Sequence, residues 1–133
     1  MTALDLALAR ARGSIAPRVR ASDLEFELAT GALVVDIRPA ALRERDGDLR
    51  GATVIERTVL EWRLDPGGDH RLPQMDDPGR RVVVVCDEGY ASSLAAAQLR
   101  ELGIRNATDM EGGYQAWRLL RGRKRAPRPR LND

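Results

Sequence analysis

The sequence predicts an α/β domain built on a largely parallel sheet with helices on both faces. Two runs carry this, ALVVDIR (32–38) and RVVVVC (81–86). Both are apolar and β-branched without polar alternation, as expected of parallel strands covered on both sides. Helical patterns alternate with the extended ones along the chain, the order of a βα-type domain. At 133 residues, with 43% hydrophobic and 32% charged, the chain suits one globular domain with one core.

The elements follow in order. TALDLALARAR has helical spacing and good helix formers, and is expected to end near Gly13. PRVRAS alternates after Pro17 and reads as a short extended segment. DLEFELAT is a short helix, capped by Ser22 or Asp23 and stopped at Gly31. The strand ALVVDIR lies between Gly31 and Pro39. PAALRERDGDLRGA is polar, with turns at Asp46-Gly47 and Gly51. TVIERTVLEWRL starts extended and turns helical near Thr58. DPGGDHRLPQMDDPGR is a loop, rich in Pro, Gly and Asp. The strand RVVVVC follows, then the helix SSLAAAQLRELG, stopped by Gly103. IRNATDM is a short strand, and EGGYQAWRLLRG a last helix after a Gly-Gly turn. The final GRKRAPRPRLND has little that could pack and reads as a disordered tail.

Composition narrows the function classes. No apolar run approaches the ~20 residues of a membrane span, and MTALDLALARAR lacks the basic start of a signal peptide. A single cysteine, Cys86, forms no internal disulfide, so a reducing cytoplasm is the expected setting. Of 22 basic and 20 acidic residues, seven basic and one acidic fall in 118–133, which leaves the rest at a net −4. The basic charge therefore belongs to the tail. Lys/Arg density is all that would suggest RNA, so nucleic-acid contact is not expected.

Cys86 ends its strand, and sites in open α/β sheets form beyond the carboxyl ends of strands. The residues Asp87, Glu88, Gly89, Tyr90, Ala91 and Ser92 can curl so that backbone N–H groups converge on the sulfur, with Gly89 supplying conformational freedom. The helix starting near Ser92 adds its unpaired N–H groups and positive dipole end. Such a cradle favours an anion: a thiolate, a persulfide or an oxyanion. The thiolate is the nucleophilic form of cysteine.

Four stretches in this order resemble the single-domain rhodanese family of sulfurtransferases: LVVDIR (33–38), GDLRGA (47–52), VVVVCDEGYASS (82–93) and LGIRNATDMEGGYQAW (102–117). The resemblance covers about residues 20–120. It implies a five-stranded, mainly parallel sheet, with residues 1–20 as a helical lead-in, 21–120 as the domain and 121–133 as the basic tail. It also implies sulfur transfer. Cys86 would take a sulfane sulfur from thiosulfate or a persulfide, hold it as a persulfide, and pass it to a thiol or cyanide. Neither metal nor organic cofactor is implied.

The chain departs from the family pattern in three places. Asp48 and Arg50 replace a His and a Pro of the second stretch, and Ala91 stands where many active members have Arg. Asp87 and Glu88 put carboxylates beside the thiol, which disfavours a thiolate and repels anionic donors. Weak thiosulfate turnover is the expectation, and a binding or regulatory module without chemistry is the alternative. A phosphatase would need a Cys-x₅-Arg loop, but the sixth residue after Cys86 is Ser92.

Arg38, Arg57 and Arg63 could approach the pocket and offset the acids, although surface ion pairs are the plainer role for each. Asp36 and Arg38 are read as a structural brace at a strand end. Tyr90 either lines the pocket or covers the helix start. Trp62 and Trp117 are read as core or interface anchors. His70 has no partner ligand near it in sequence, so a metal site is not expected.

Overall fold

Four parallel strands in the order β2-β1-β3-β4 form the sheet of the protein, here a computed structural model that describes residues 1–125. The strands are β1 (Leu33–Asp36), β2 (Thr53–Val54), β3 (Val82–Val85) and β4 (Ala107–Asp109). β1 and β3 pair along their full length, Leu33 with Val82 through Asp36 with Val85. The helices are α1 (Ala3–Ser14), α2 (Leu24–Ala29), α3 (Ala40–Asp46), α4 (Leu60–Leu64), α5 (Ala91–Glu101) and α6 (Gly113–Arg125).

Because side chains alternate along a strand, the valine run serves two cores. Val82 and Val84 join Val35, Leu60, Leu64, Ala95, Ala96 and Leu99 on the face of α4 and α5. Val83 and Val85 join Val34, Leu24 and Tyr114 on the face of α2 and α6. All four valines are fully buried, which is why the run shows no polar alternation. α1 lies against α5 and sends Ile15 into the first core.

The expected fifth strand is not formed. PRVRAS contributes one parallel bridge, Val19 to Met110, in which Val19 donates to Asp109 O (2.9 Å) and accepts from Glu111 N (2.8 Å). Pro17 offers no N–H on one side, and the chain winds into a 3₁₀ turn at Ala21–Asp23 on the other. A ladder has no room to grow between them. That same turn precedes α2, whose first residues receive no side-chain cap from Asp23.

A second difference is α3, which occupies part of the segment read as polar turns. Its residues are good helix formers, but none is buried, so no apolar stripe marked it. Its stop at Gly47 (φ +93°) is where the Asp46-Gly47 turn was expected. α6 continues through Arg125, so the first residues of the expected tail are helical, and the remainder of that tail lies outside the described residues. Among the described residues, no helix is long and apolar enough to cross a membrane.

Candidate active site

β3 carries Cys86 to the carboxyl edge of the sheet, and the chain curls from there into α5. Gly89 accepts φ +85°, and a Cβ on it would lie 2.7 Å from Gly112 N. Gly113 closes the other side, where a Cβ would sit 2.6 Å from Cys86 O. The Gly-Gly turn thus presses against the back of the loop, and a side chain at either contact would push the two apart. Tyr114 N and Gln115 N donate to Cys86 O (2.9 Å) and Asp87 O (3.0 Å), which fixes the loop to the start of α6.

Sγ of Cys86 accepts from Gly89 N (3.1 Å) and Ser92 N (3.3 Å), and it donates to Ser92 Oγ at 3.2 Å. The second amide belongs to the first turn of α5, so the helix end and the curl converge on one atom. The cysteine is 7% exposed and stands at the base of an open pocket of about 400 Å³. Ile37, Pro39, Tyr90 and Ala91 supply its apolar wall, and Arg38, Arg57, Asp87 and Glu88 its charges.

The loop residues singled out in the sequence divide by role in the structure. Gly89 and Ser92 touch the sulfur. Asp87 is turned aside, with Oδ1 accepting from Gln115 Nε2 at 2.9 Å. Glu88 is exposed at the rim. Tyr90 is 58% exposed and lines the pocket, with the Arg12 guanidinium 5.2 Å from its ring centre.

The three arginines also part ways. Arg38 is buried, pairs with Asp36 (Nη2 to Oδ2, 2.8 Å), donates to Gly47 O (3.0 Å) and stacks 3.7 Å from the Tyr114 ring centre. It braces the strand end and lines the pocket as well, while among the described residues its Nη1 has no hydrogen-bond partner. Arg57 stands at the pocket rim and is paired with Glu61 at 2.7 Å. Arg63 is not brought to the pocket: it donates to His70 O (2.6 Å) and holds the loop after α4. His70 is exposed, Trp62 is 60% exposed, and Trp117 packs against the α2–α6 core. Asp48 is exposed, and so is Arg50.

Behind the thiol lies a polar layer that the sequence reading missed. Asp109, wholly buried at the end of β4, accepts from Ser92 Oγ (2.7 Å) and Ser93 Oγ (2.8 Å). Arg18 closes on it with Nε to Oδ1 (2.7 Å) and Nη2 to Oδ2 (3.1 Å). Burial pulls the Arg18 pKa down, but the hydrogen bond and charge of Asp109, aided by Glu111 and Cys86, hold it above the usual value. Arg12 and Arg18 both donate to Gly89 O, at 2.8 and 3.0 Å. The edge rule that located Cys86 applies equally to an Asp ending the next strand, so Asp109 was open to discovery. Arg12 and Arg18 carried no such signal, because their reach depends on α1 docking against α5.

Residues 21–120 match the model of the family described as Rhodanese-like domain. A thiosulfate sulfurtransferase, GlpE, from Pseudomonas entomophila is 35% identical over 91 residues, 68% of this chain and 73% of that protein. The adenylyltransferase and sulfurtransferase MOCS3-2 of Zea mays is 35% identical over 85 residues, 64% of this chain but only 17% of the maize protein. Among solved structures, a Rhodopseudomonas palustris protein of unknown function, described as a possible tyrosine phosphatase, superposes with a TM-score of 0.79 at 29% identity, covering 90% of this chain and 92% of the other. The human single-domain sulfurtransferase TSTD1 shares the fold, with a TM-score of 0.64 at 24% identity over 78% of this chain and 96% of that one.

Proposed function

The chain belongs to the rhodanese-like domain family, and from that premise we propose that it is a sulfurtransferase working through a persulfide on Cys86. One observation carries the reading: the lone thiol stands at a pocket floor with two backbone N–H groups and a helix N-terminus on its sulfur. That arrangement stabilises negative charge on sulfur without a metal.

The transfer runs in two displacements. The Cys86 thiolate attacks the sulfane sulfur of a donor, and the donor's S–S bond breaks with its electron pair leaving on a thiolate or sulfite. Cys86 then carries the extra sulfur as a persulfide anion, beside the Gly89 and Ser92 amides that bond Sγ. An acceptor thiolate or cyanide attacks the outer sulfur, the Cys86–sulfur bond breaks, and the Cys86 thiolate returns. Small-molecule or protein persulfides suit the rim as donors, because Asp87 and Glu88 oppose a dianion such as thiosulfate and Arg57 is already paired. A reducing compartment would keep the lone thiol available for this cycle.

Initial rates test the scheme. Varying donor and acceptor together should give parallel reciprocal plots, and Cys86→Ser should abolish turnover. Intersecting plots, or activity retained by Cys86→Ser, would contradict it. The absence of arginine between Cys86 and Ser92 supports a second reading, a module that binds a partner through this pocket without turnover. That reading requires no turnover with persulfide, thiosulfate or aryl phosphate.

A further inference from the structure

The Ser92 hydroxyl has a single hydrogen and lies between two groups that can each take it. Its Oγ is 2.7 Å from Asp109 Oδ2 and 3.2 Å from Cys86 Sγ. Asp109 is paired with Arg18, and an ionised carboxylate only accepts. Ser92 therefore donates to Asp109, and the lone pair of its oxygen faces the sulfur. The hydrogen between Oγ and Sγ must then come from Cys86, as a thiol. A thiolate in the same place would meet an oxygen lone pair unless the hydroxyl turned.

Asp109 can release that hydrogen. Its carboxylate also accepts from Arg18 Nη2 at 3.1 Å, Arg18 Nε at 2.7 Å and Ser93 Oγ at 2.8 Å, the nearer of two acceptors for that hydroxyl, Gly89 O being at 3.2 Å. Losing Ser92 leaves it three donors, so a full desolvation penalty is not incurred.

We propose that Ser92 is a two-position donor, bonded to Asp109 when Cys86 is a thiol and to Cys86 when its sulfur is anionic, with Asp109 and Arg18 setting the balance. Ionisation sends the Cys86 proton to solvent through the pocket mouth and breaks the S–H···O bond. The Ser92 O–H then turns, giving the thiolate a third donor beside Gly89 N and Ser92 N. Asp109 and Arg18 do not touch the sulfur; they are positioning residues. Arg18 comes from the segment ahead of the family-matched residues. The inference rests on Cys86 as the working nucleophile of the proposed transfer.

Other charged or titratable groups bear on the same sulfur: Asp87, Glu88 and Tyr90 on its loop, Arg12 of α1 at Gly89 O, Arg38 after β1, Arg57 at the rim, and Arg18 with Glu111 near Asp109. Removing the Asp109 charge shifts the titration of Cys86 whatever Ser92 does, so the test must isolate Ser92. Alkylation by iodoacetamide, a neutral reagent, followed from pH 5 to 10 reads the thiolate fraction of the full chain. It needs no sulfur donor, so its outcome is separate from that of the transfer assay.

Ser92→Ala should lower the thiolate fraction about tenfold at a pH below the midpoint, the worth of one hydrogen bond to a charged group; Ser92→Thr should restore it. Asp109→Asn should move the profile to lower pH, and at least threefold less in the Ser92→Ala background. Equal shifts in both backgrounds would show that Asp109 acts by charge alone and would overturn the proposal. If Asp109→Asn does not fold, Arg18→Lys serves. It keeps the charge but not the two-nitrogen grip, so Asp109 must retain Ser92. The profile should then rise in pH only while Ser92 is present, and an equal rise without it overturns the proposal.

Discussion

Glu88 projects from the loop rim into solvent, while Gly89 is locked beneath it against Gly112. Their substitutions should separate electrostatics from geometry. Glu88→Gln removes a like charge from the path of an anionic donor and, among the described residues, breaks no hydrogen bond or ion pair. It should raise kcat/KM for thiosulfate about two- to fivefold at low ionic strength, with the gain fading in high salt. An unchanged value at low salt would mean the rim acids do not govern donor choice. Gly89→Ala should do the reverse, leaving charge alone and breaking the curl. Its φ of +85° and the 2.7 Å approach to Gly112 N should cost roughly 1–3 kcal/mol, seen as a lower urea midpoint, and sulfur loading of Cys86 should fall with it. A wild-type midpoint would contradict the packing described.

At the level of elements, α6 joins the end of α3 to the active-site loop. Gln115 Nε2 donates to both Asp46 Oδ2 and Asp87 Oδ1, at 2.9 Å each, and Tyr114 Oη donates to Asp46 O at 2.7 Å. Hydrogen bonds from Arg45 hold the Asp46 carboxyl well below the usual carboxylate range, against the pull of burial and with help from Gln115 and Arg118. A depressed folded pKa gives stability that is complete above the unfolded value, about 4, and is lost as pH falls below it. Asp46→Asn should therefore lower the melting temperature at pH 7, and its deficit should shrink as pH drops below about 4. A deficit constant with pH would assign the loss to packing.

The elements also show what a sequence reveals. β1 and β3 were legible because β-branched runs buried on both faces leave no other reading, and Cys86 was legible because it ends one of them. α3 was not, since a helix with no buried residue leaves no stripe. The fifth strand failed because Pro17 and the turn at Ala21 left it one rung. Arg63 was expected near the pocket, but it bonds to His70 O instead, a contact that depends on the course of a loop.

The whole molecule is larger than the family-matched stretch of 21–120. Residues 1–20 place Ala11, Ile15 and Val19 in the core at 7%, 0% and 4% exposure. They also bring Arg12 and Arg18 to Gly89 O. Deleting them removes core packing of which Ile15 alone is worth roughly 2–5 kcal/mol, so the melting temperature should fall by about 10 °C or more. A shortened chain that melts like the full one would show that this segment is an accessory. Under the proposed function, this assembly holds sulfur on Cys86. Intact-mass spectrometry of the full chain, after treatment with a persulfide donor and removal of excess, tests it most directly. The expected result is one added sulfur atom, mapped to Cys86, lost on adding a thiol and absent in Cys86→Ser. A mass unchanged by both persulfide and thiosulfate would contradict it.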